Sequence, residues 1–217
     1  MSCRICYYDP AKYMHTANKK FVEQLVRQGR IKTKAIISAF FKIDRINFVP
    51  DEFRGEAYFD IPVPIFSGMT TSQPSTIAFM LEKLQPRKGE KVLEVGTGSG
   101  YPTALLSVLV GESGKVFSIE YFQELKEFAE SNLRRYNFKN VMLLAGDGKV
   151  GFPQEAPFDK IVSSAETKEI PRAWEEQLKI GGSILTPIDS KIVLAKKVAK
   201  NKFDAEFFSA FSFVPLL

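Results

Sequence analysis

Three places in the chain set acidic residues and glycines where a strand would end. Glu94-Val95-Gly96-Thr97-Gly98-Ser99-Gly100 follows the apolar run Lys91-Val92-Leu93 and precedes a helical pattern from about Pro102 to Val110. Glycines on a strand-to-helix turn let the backbone approach a ligand closely, and ligands of open parallel sheets sit beyond the carboxyl ends of the strands. Glu120 closes the next apolar run, Lys115-Val116-Phe117-Ser118-Ile119, where a carboxylate can accept hydrogen bonds from both hydroxyls of a ribose. Asp147, in Gly146-Asp147-Gly148 after Val141-Met142-Leu143-Leu144, can accept from the exocyclic amine of adenine while its glycines keep the loop open. Singly, these features also read as a tight junction, a surface carboxylate and a turn. At three successive strand ends they point to an adenosine cofactor. Tyr101 occupies the third glycine position of the dinucleotide fingerprint and no GxxxxGKS/T loop occurs, which weighs against NAD and ATP.

Those turns need strands and helices to hold them. The four apolar runs at 91–95, 115–119, 141–144 and 158–162 read as strands, and Leu125, Phe128, Ala129 and Leu133 share one helical face after Glu120. Strands alternating with helices predict a doubly wound, mostly parallel, Rossmann-like α/β sheet covered on both sides. A helix from Trp174 to Ile180, stopped by Gly181-Gly182, precedes strands at 183–187, 192–199 and 207–214, with a hairpin turn at Lys200-Asn201-Lys202. This predicts an antiparallel C-terminal edge. The basic stretch 191–202 alternates with apolar residues and reads as charge protecting that edge.

Upstream, Phe21, Val22, Leu25 and Val26, then Ala35, Ile36, Ala39 and Phe40, form two helical patterns separated by Gly29, predicting a helical cap. Prolines 50, 62 and 64 with Gly55 and Gly68 break residues 49–74 into a structured loop, and Pro74 opens a helix ending near Pro86. Ser72 in that loop reads either as a helix N-cap or as a donor in a site. Asp60 and Tyr58 read either as substrate contacts or as holding the loop's own backbone.

The chain's 217 residues suit one domain: a frayed segment at 1–17, a helical cap and active-site loop at 18–75, and a cofactor-binding α/β core at 76–217. No apolar run nears the roughly 20 residues that span a bilayer, and no signal-peptide pattern opens the chain, so a cytoplasmic location is expected. Cys3 and Cys6 form a CxxC without a second pair, and His15 is the single histidine, so no metal site is expected. The net charge of +5 is spread rather than clustered, which argues against nucleic acid as a partner.

The order of several stretches goes further. Asn47-Phe48-Val49-Pro50, residues 57–65, Gly68-Met69-Thr70-Thr71-Ser72-Gln73-Pro74, residues 92–101, Gly146-Asp147-Gly148, Ala156-Pro157-Phe158-Asp159 and Gln177-Leu178-Lys179-Ile180-Gly181-Gly182 together resemble protein-L-isoaspartate O-methyltransferases, within the class I S-adenosylmethionine-dependent methyltransferases. The resemblance covers roughly residues 20–190. It implies S-adenosylmethionine as cofactor and S-adenosylhomocysteine as product. Thr71, Ser72, Glu94, Gly96, Thr97, Gly98, Ser99, Gly100, Glu120, Asp147 and Gly148 would bind the cofactor, Ser72 would be the catalytic hydroxyl, and Ser72 and Gln73 would meet the substrate.

By the same resemblance the substrates are isoaspartyl-containing peptides and proteins; separately, a monomer is expected. Attack by the free α-carboxylate on the sulfonium methyl needs no general base, since a carboxylate of pKa about 4 is already ionised. The ester then closes to a succinimide that hydrolyses partly to normal aspartate, which is repair. Departures are Met69 and Thr71, where the family commonly has Gln and an aliphatic residue, and Ser163-Ser164, where small apolar residues are frequent. The final segment 211–217 resembles the family's closing strand, and the C-terminal helix of some members is not found after it. The same fold would also suit a methyltransferase of RNA or small molecules, or a silent cofactor-binding protein. An NAD-linked oxidoreductase is the remaining class.

Overall fold

The structure, a computed structural model, describes residues 10–209 and 212–216. Cys3 and Cys6 lie outside the described residues. The cap comprises α1 (Pro10–Arg27) and α2 (Lys34–Lys42), with Gly29 at φ 67° just past the end of α1. The helix starts at Pro10, so 10–17 is helical rather than frayed; proline suits a first helical turn, where its missing N–H is not needed.

Residues 45–72 contain short 3-10 turns at Arg45–Phe48, Asp51–Glu56 and Phe66–Gly68 and a two-stranded hairpin of β1 (Val63–Pro64) and β2 (Thr70–Thr71). α3 (Pro74–Leu84) follows. The core alternates β3 (Lys91–Val95), α4 (Tyr101–Val110), β4 (Lys115–Glu120), α5 (Gln123–Arg134), β5 (Val141–Ala145) and β6 (Phe158–Ser163). It ends with α6 (Arg172–Gln177), β7 (Leu178–Ile188), β8 (Lys191–Ala199) and β9 (Lys202–Ser209).

The seven-stranded sheet runs β5-β4-β3-β6-β7-β8-β9. β3 to β7 pair in parallel and β7, β8 and β9 antiparallel. The winding direction reverses between β3 and β6, and such a switch point opens a crevice at the strands' carboxyl ends. Alternate residues face opposite ways along each strand. Val92, Val116, Val162 and Leu185 join cap residues Phe21, Leu25, Ile36 and Phe40 in one core, so cap and sheet share it. Leu93, Phe117, Ile161 and Ile184 face the other way, toward Trp174 of α6.

Three expectations near the C-terminus differ. Gly181-Gly182 lies inside β7, and the helix before it ends at Gln177. A Cβ on Gly182 would stand 2.8 Å from Asp159 O, so the glycine permits close approach of β6. The last strand is 202–209 rather than 207–214, because the Asn201 turn (φ 58°) starts the return immediately. Of the segment after it, 212–216 makes only an isolated bridge, Pro215 to Glu166; Phe211 and Leu217 lie outside the described residues. The edge is therefore β9, with exposed Lys202, Asp204 and Glu206, while Lys197 of β8 is buried and donates to Glu175 O and Leu178 O. Among the described residues no helix is long and apolar enough to cross a membrane.

Candidate active site

The turn from β3 to α4 takes positive φ at Gly96 (84°), Gly98 (54°) and Gly100 (84°), a path that residues with a Cβ rarely follow. At Gly100 space is also limiting: a Cβ would come within 3.2 Å of Ala129 Cβ in α5. Gly98 N–H donates to Glu120 Oε2 at 2.9 Å and Phe122 N–H to Glu120 Oε1 at 3.1 Å. Glu120 is thereby fixed at the end of β4 with acceptor capacity to spare, since a carboxylate offers about four lone-pair sites.

Glu94 lies deeper. It is fully buried, and its Oε2 accepts from Thr103 Oγ1 at 2.5 Å and Ser118 Oγ at 2.7 Å, while Oε1 has no partner. Burial raises its pKa to about 7, against the two hydrogen bonds, which lower it. Thr97 Oγ1 and Ser118 Oγ share a further bond at 2.6 Å, so the carboxylate ties the turn to α4 and β4.

On the opposite side the β1–β2 hairpin is held by Arg45, a fully buried guanidinium that sequence reasoning missed. It donates to the carbonyls of Ala57 (2.8 Å), Phe59 (3.4 Å), Ile61 (3.2 Å) and Ser72 (3.3 Å). Burial lowers its pKa to about 10, offset in part by Tyr101 and Asp60, so it stays charged near neutrality. Asp60 Oδ1 accepts from Ser75 N–H at 2.8 Å and caps α3, a backbone-holding role as expected, whereas Tyr58 OH donates to the side chain of Asp44 at 2.8 Å rather than to backbone of the loop. With Asp60 capping the helix, the Ser72 side chain is not used as the N-cap, and Gln73 occupies that position without a side-chain bond.

These pieces line a pocket that is partly open to solvent. Of the residues expected at the cofactor, Thr71, Ser72, Gly96, Thr97, Gly98, Ser99, Glu120 and Gly148 line it. Glu94, Gly100 and Asp147 do not: Glu94 is buried under the turn, Gly100 packs on α5, and Asp147 Oδ1 accepts from Lys149 N–H at 2.8 Å in a local turn. Gly148 is set by Trp174, whose indole N–H donates to Gly148 O at 2.8 Å. A Cβ there would overlap Val95 Cγ1.

Sequence reasoning missed the apolar wall of Ile119, Phe122 and Leu125, whose pattern resembles ordinary core. It also missed the roof of Val214, Pro215 and Leu216, placed by mutual bonds with Glu166 that carry no local signal. A second cleft, lined by Pro62, Gln73, Thr76, Ser212 and Phe213 among others, adjoins the first. Thr70, Ser72, Ser164 and Val214 line both. Gln73 faces only the second.

The arrangement can hold two molecules side by side. One cavity presents the Glu120 carboxylate as an acceptor, and the other meets it at the wall containing Ser72.

A family model described as protein-L-isoaspartate(D-aspartate) O-methyltransferase matches residues 16–217. A curated protein-L-isoaspartate O-methyltransferase of Ignicoccus hospitalis is 43% identical over 178 residues, which cover 82% of this chain and 84% of the relative. Its namesake from Methanopyrus kandleri is 38% identical over 211 residues, covering 95% and 93%. A solved protein-L-isoaspartate O-methyltransferase superposes with a TM-score of 0.83 at 32% identity, covering 91% of this chain and 65% of its own. A solved structure of a putative protein-L-isoaspartate O-methyltransferase from Plasmodium falciparum, in complex with S-adenosyl-L-homocysteine, gives a TM-score of 0.83 at 23% identity, over 92% and 98% of the two chains, and speaks to the fold.

Proposed function

The chain belongs to the protein-L-isoaspartate O-methyltransferase family, and from that premise we propose that it methylates the free α-carboxylate of L-isoaspartyl residues in damaged proteins, the first step of their repair. The observation that carries this reading is the pair of adjoining cavities with Ser72 in their common wall. The first fits S-adenosylmethionine: Glu120 offers free acceptor sites for ribose hydroxyls, Ile119, Phe122 and Leu125 offer an apolar face for a base, and Gly96, Gly98 and Gly148 leave room for close approach.

When bound, the cofactor supplies an electrophilic methyl group on a sulfonium sulfur, which keeps the electron pair of the bond that breaks while a carboxylate oxygen supplies the pair for the new O–C bond. The protein's part is to bind, orient and exclude water. Ser72 acts as a hydroxyl donor that orients the acceptor carboxylate; it is not a nucleophile. Positioning of this kind contributes about 7–11 kcal/mol in well-oriented systems. No base is required, and no histidine is among the described residues lining either cavity.

Glu94 and Gly100 are positioning residues for the turn, and Gly148, with the neighbouring Asp147 carboxylate, meets the cofactor from the end of β5. We take the chain as one domain, because cap and sheet share a core, acting as a cytoplasmic monomer on isoaspartyl peptides and proteins, with neither nucleic acid nor membrane as partner. The test is incubation with labelled S-adenosylmethionine and either an isoaspartyl peptide or a control RNA. Base-labile label on the peptide alone is expected; label on the RNA alone would transfer the assignment to a nucleic-acid substrate. A single peak at monomer mass in size-exclusion chromatography is expected alongside, and a dimer would overturn the monomer assignment.

A further inference from the structure

β6 ends in two adjacent serines with different fates. Ser163 is fully buried, and its hydroxyl donates to Ala165 O at 2.8 Å and accepts from Ala165 N–H at 3.1 Å, closing a local turn. Ser164 is half-buried, and its N–H donates to Val95 O at 3.0 Å, which fixes its backbone against β3. Its hydroxyl has no hydrogen-bond partner among the described residues, and the residue lines both the cofactor cavity and the adjoining cleft. Ser72 has the same properties from the other side: half-buried, backbone gripped by Arg45, hydroxyl unpaired, lining both cavities.

The charge of the cleft decides what two such hydroxyls are for. Among the described residues that line either cavity there is no lysine, arginine or histidine, and Glu120 is the single charged residue. An anionic acceptor here can be recognised only by neutral donors. That suits a carboxylate nucleophile, because a guanidinium partner would stabilise the charged ground state and withdraw the electron pair that must form the new bond. A carboxylate has two oxygens, and one hydroxyl cannot fix its orientation.

Building on the reading above, we propose that Ser164 is a second substrate-binding residue, its hydroxyl holding one oxygen of the acceptor α-carboxylate while Ser72 holds the other. Ser164 donates from the sheet side and Ser72 from the loop side. Ser163 takes no part, since its hydroxyl is consumed by the turn.

The test compares wild type, Ser164→Ala and Ser164→Thr. Binding of an L-isoaspartyl peptide to protein saturated with S-adenosylhomocysteine is measured by calorimetry, with peptide KM measured in the transfer assay. Loss of a hydrogen bond to a charged group predicts peptide binding weakened by about tenfold or more in Ser164→Ala, with the same rise in KM. Affinity for S-adenosylhomocysteine should stay unchanged, and Ser164→Thr, which keeps the hydroxyl, should recover most of the peptide affinity. Unchanged peptide affinity and KM in Ser164→Ala would overturn the proposal, as would a parallel loss of S-adenosylhomocysteine affinity, which marks a structural role. A wild-type protein that neither binds nor methylates the isoaspartyl peptide would overturn the isoaspartyl reading itself, and this proposal with it.

Discussion

Ser72 holds an unpaired hydroxyl at the wall between two cavities, with its own carbonyl clamped by Arg45. If that hydroxyl orients a charged acceptor, Ser72→Ala removes a bond worth about 1.5–3 kcal/mol, or roughly 10- to 100-fold in kcat/KM for an isoaspartyl peptide. Calorimetry should find S-adenosylhomocysteine affinity reduced far less than kcat/KM, and a variant as active as wild type would remove Ser72 from the mechanism. Glu94 gives a prediction in pH. Its folded pKa of about 7 lies above the 4.5 of an ordinary glutamate, so between those values the folded state holds a proton that the unfolded state has released. Stability is then full below about pH 4.5 and falls as pH rises toward 7. Glu94→Gln cannot titrate, so denaturant melts from pH 4 to 8 should shift in the variant's favour by about 3 kcal/mol relative to wild type. A pH-independent difference would contradict the raised pKa of this buried group. Residue types at strand ends make Glu120 and Gly148 legible, because the fold's switch point sends those ends into one crevice. Nothing local distinguishes Glu94, which the fold buries beneath the turn, from Glu120, which it leaves at the cavity wall.

At the scale of elements, the strand–turn–helix units follow from periodicity and glycine placement, and they stand where the pattern puts them. The loop between cap and sheet does not, because its order comes from Arg45, twelve to twenty-seven residues away from the carbonyls it binds. No spacing rule reports a side chain that satisfies four backbone oxygens at once. Lysine in its place would be a point donor on a flexible stem and could not span them. Arg45→Lys should therefore lower the melting temperature and speed proteolytic cutting within residues 57–72, with peptide KM rising more than the Kd for S-adenosylhomocysteine. Unaltered proteolysis would show that the loop is held by its hairpin alone. The glycine pair at 181–182 teaches the same lesson in reverse: it reads as a helix stop, yet it lies inside β7, where Gly182 permits close approach of β6, a tertiary demand.

For the whole molecule, cap, loop and sheet close around one crevice at the switch point of the sheet, and the segment 212–216 returns from the far edge to roof it. The α/β class, the cap and the antiparallel edge are legible because each rests on repeated local signals. The strand order and the returning segment are not, since both depend on contacts between residues distant in the chain. The central claim is that this crevice selects an isoaspartyl carboxylate. Its most direct test is transfer of labelled methyl from S-adenosylmethionine to two peptides identical except for one L-isoaspartyl linkage in place of L-aspartyl. Base-labile label confined to the isoaspartyl peptide is the predicted result; equal labelling of both peptides, or none of either from protein that binds S-adenosylhomocysteine, would contradict it.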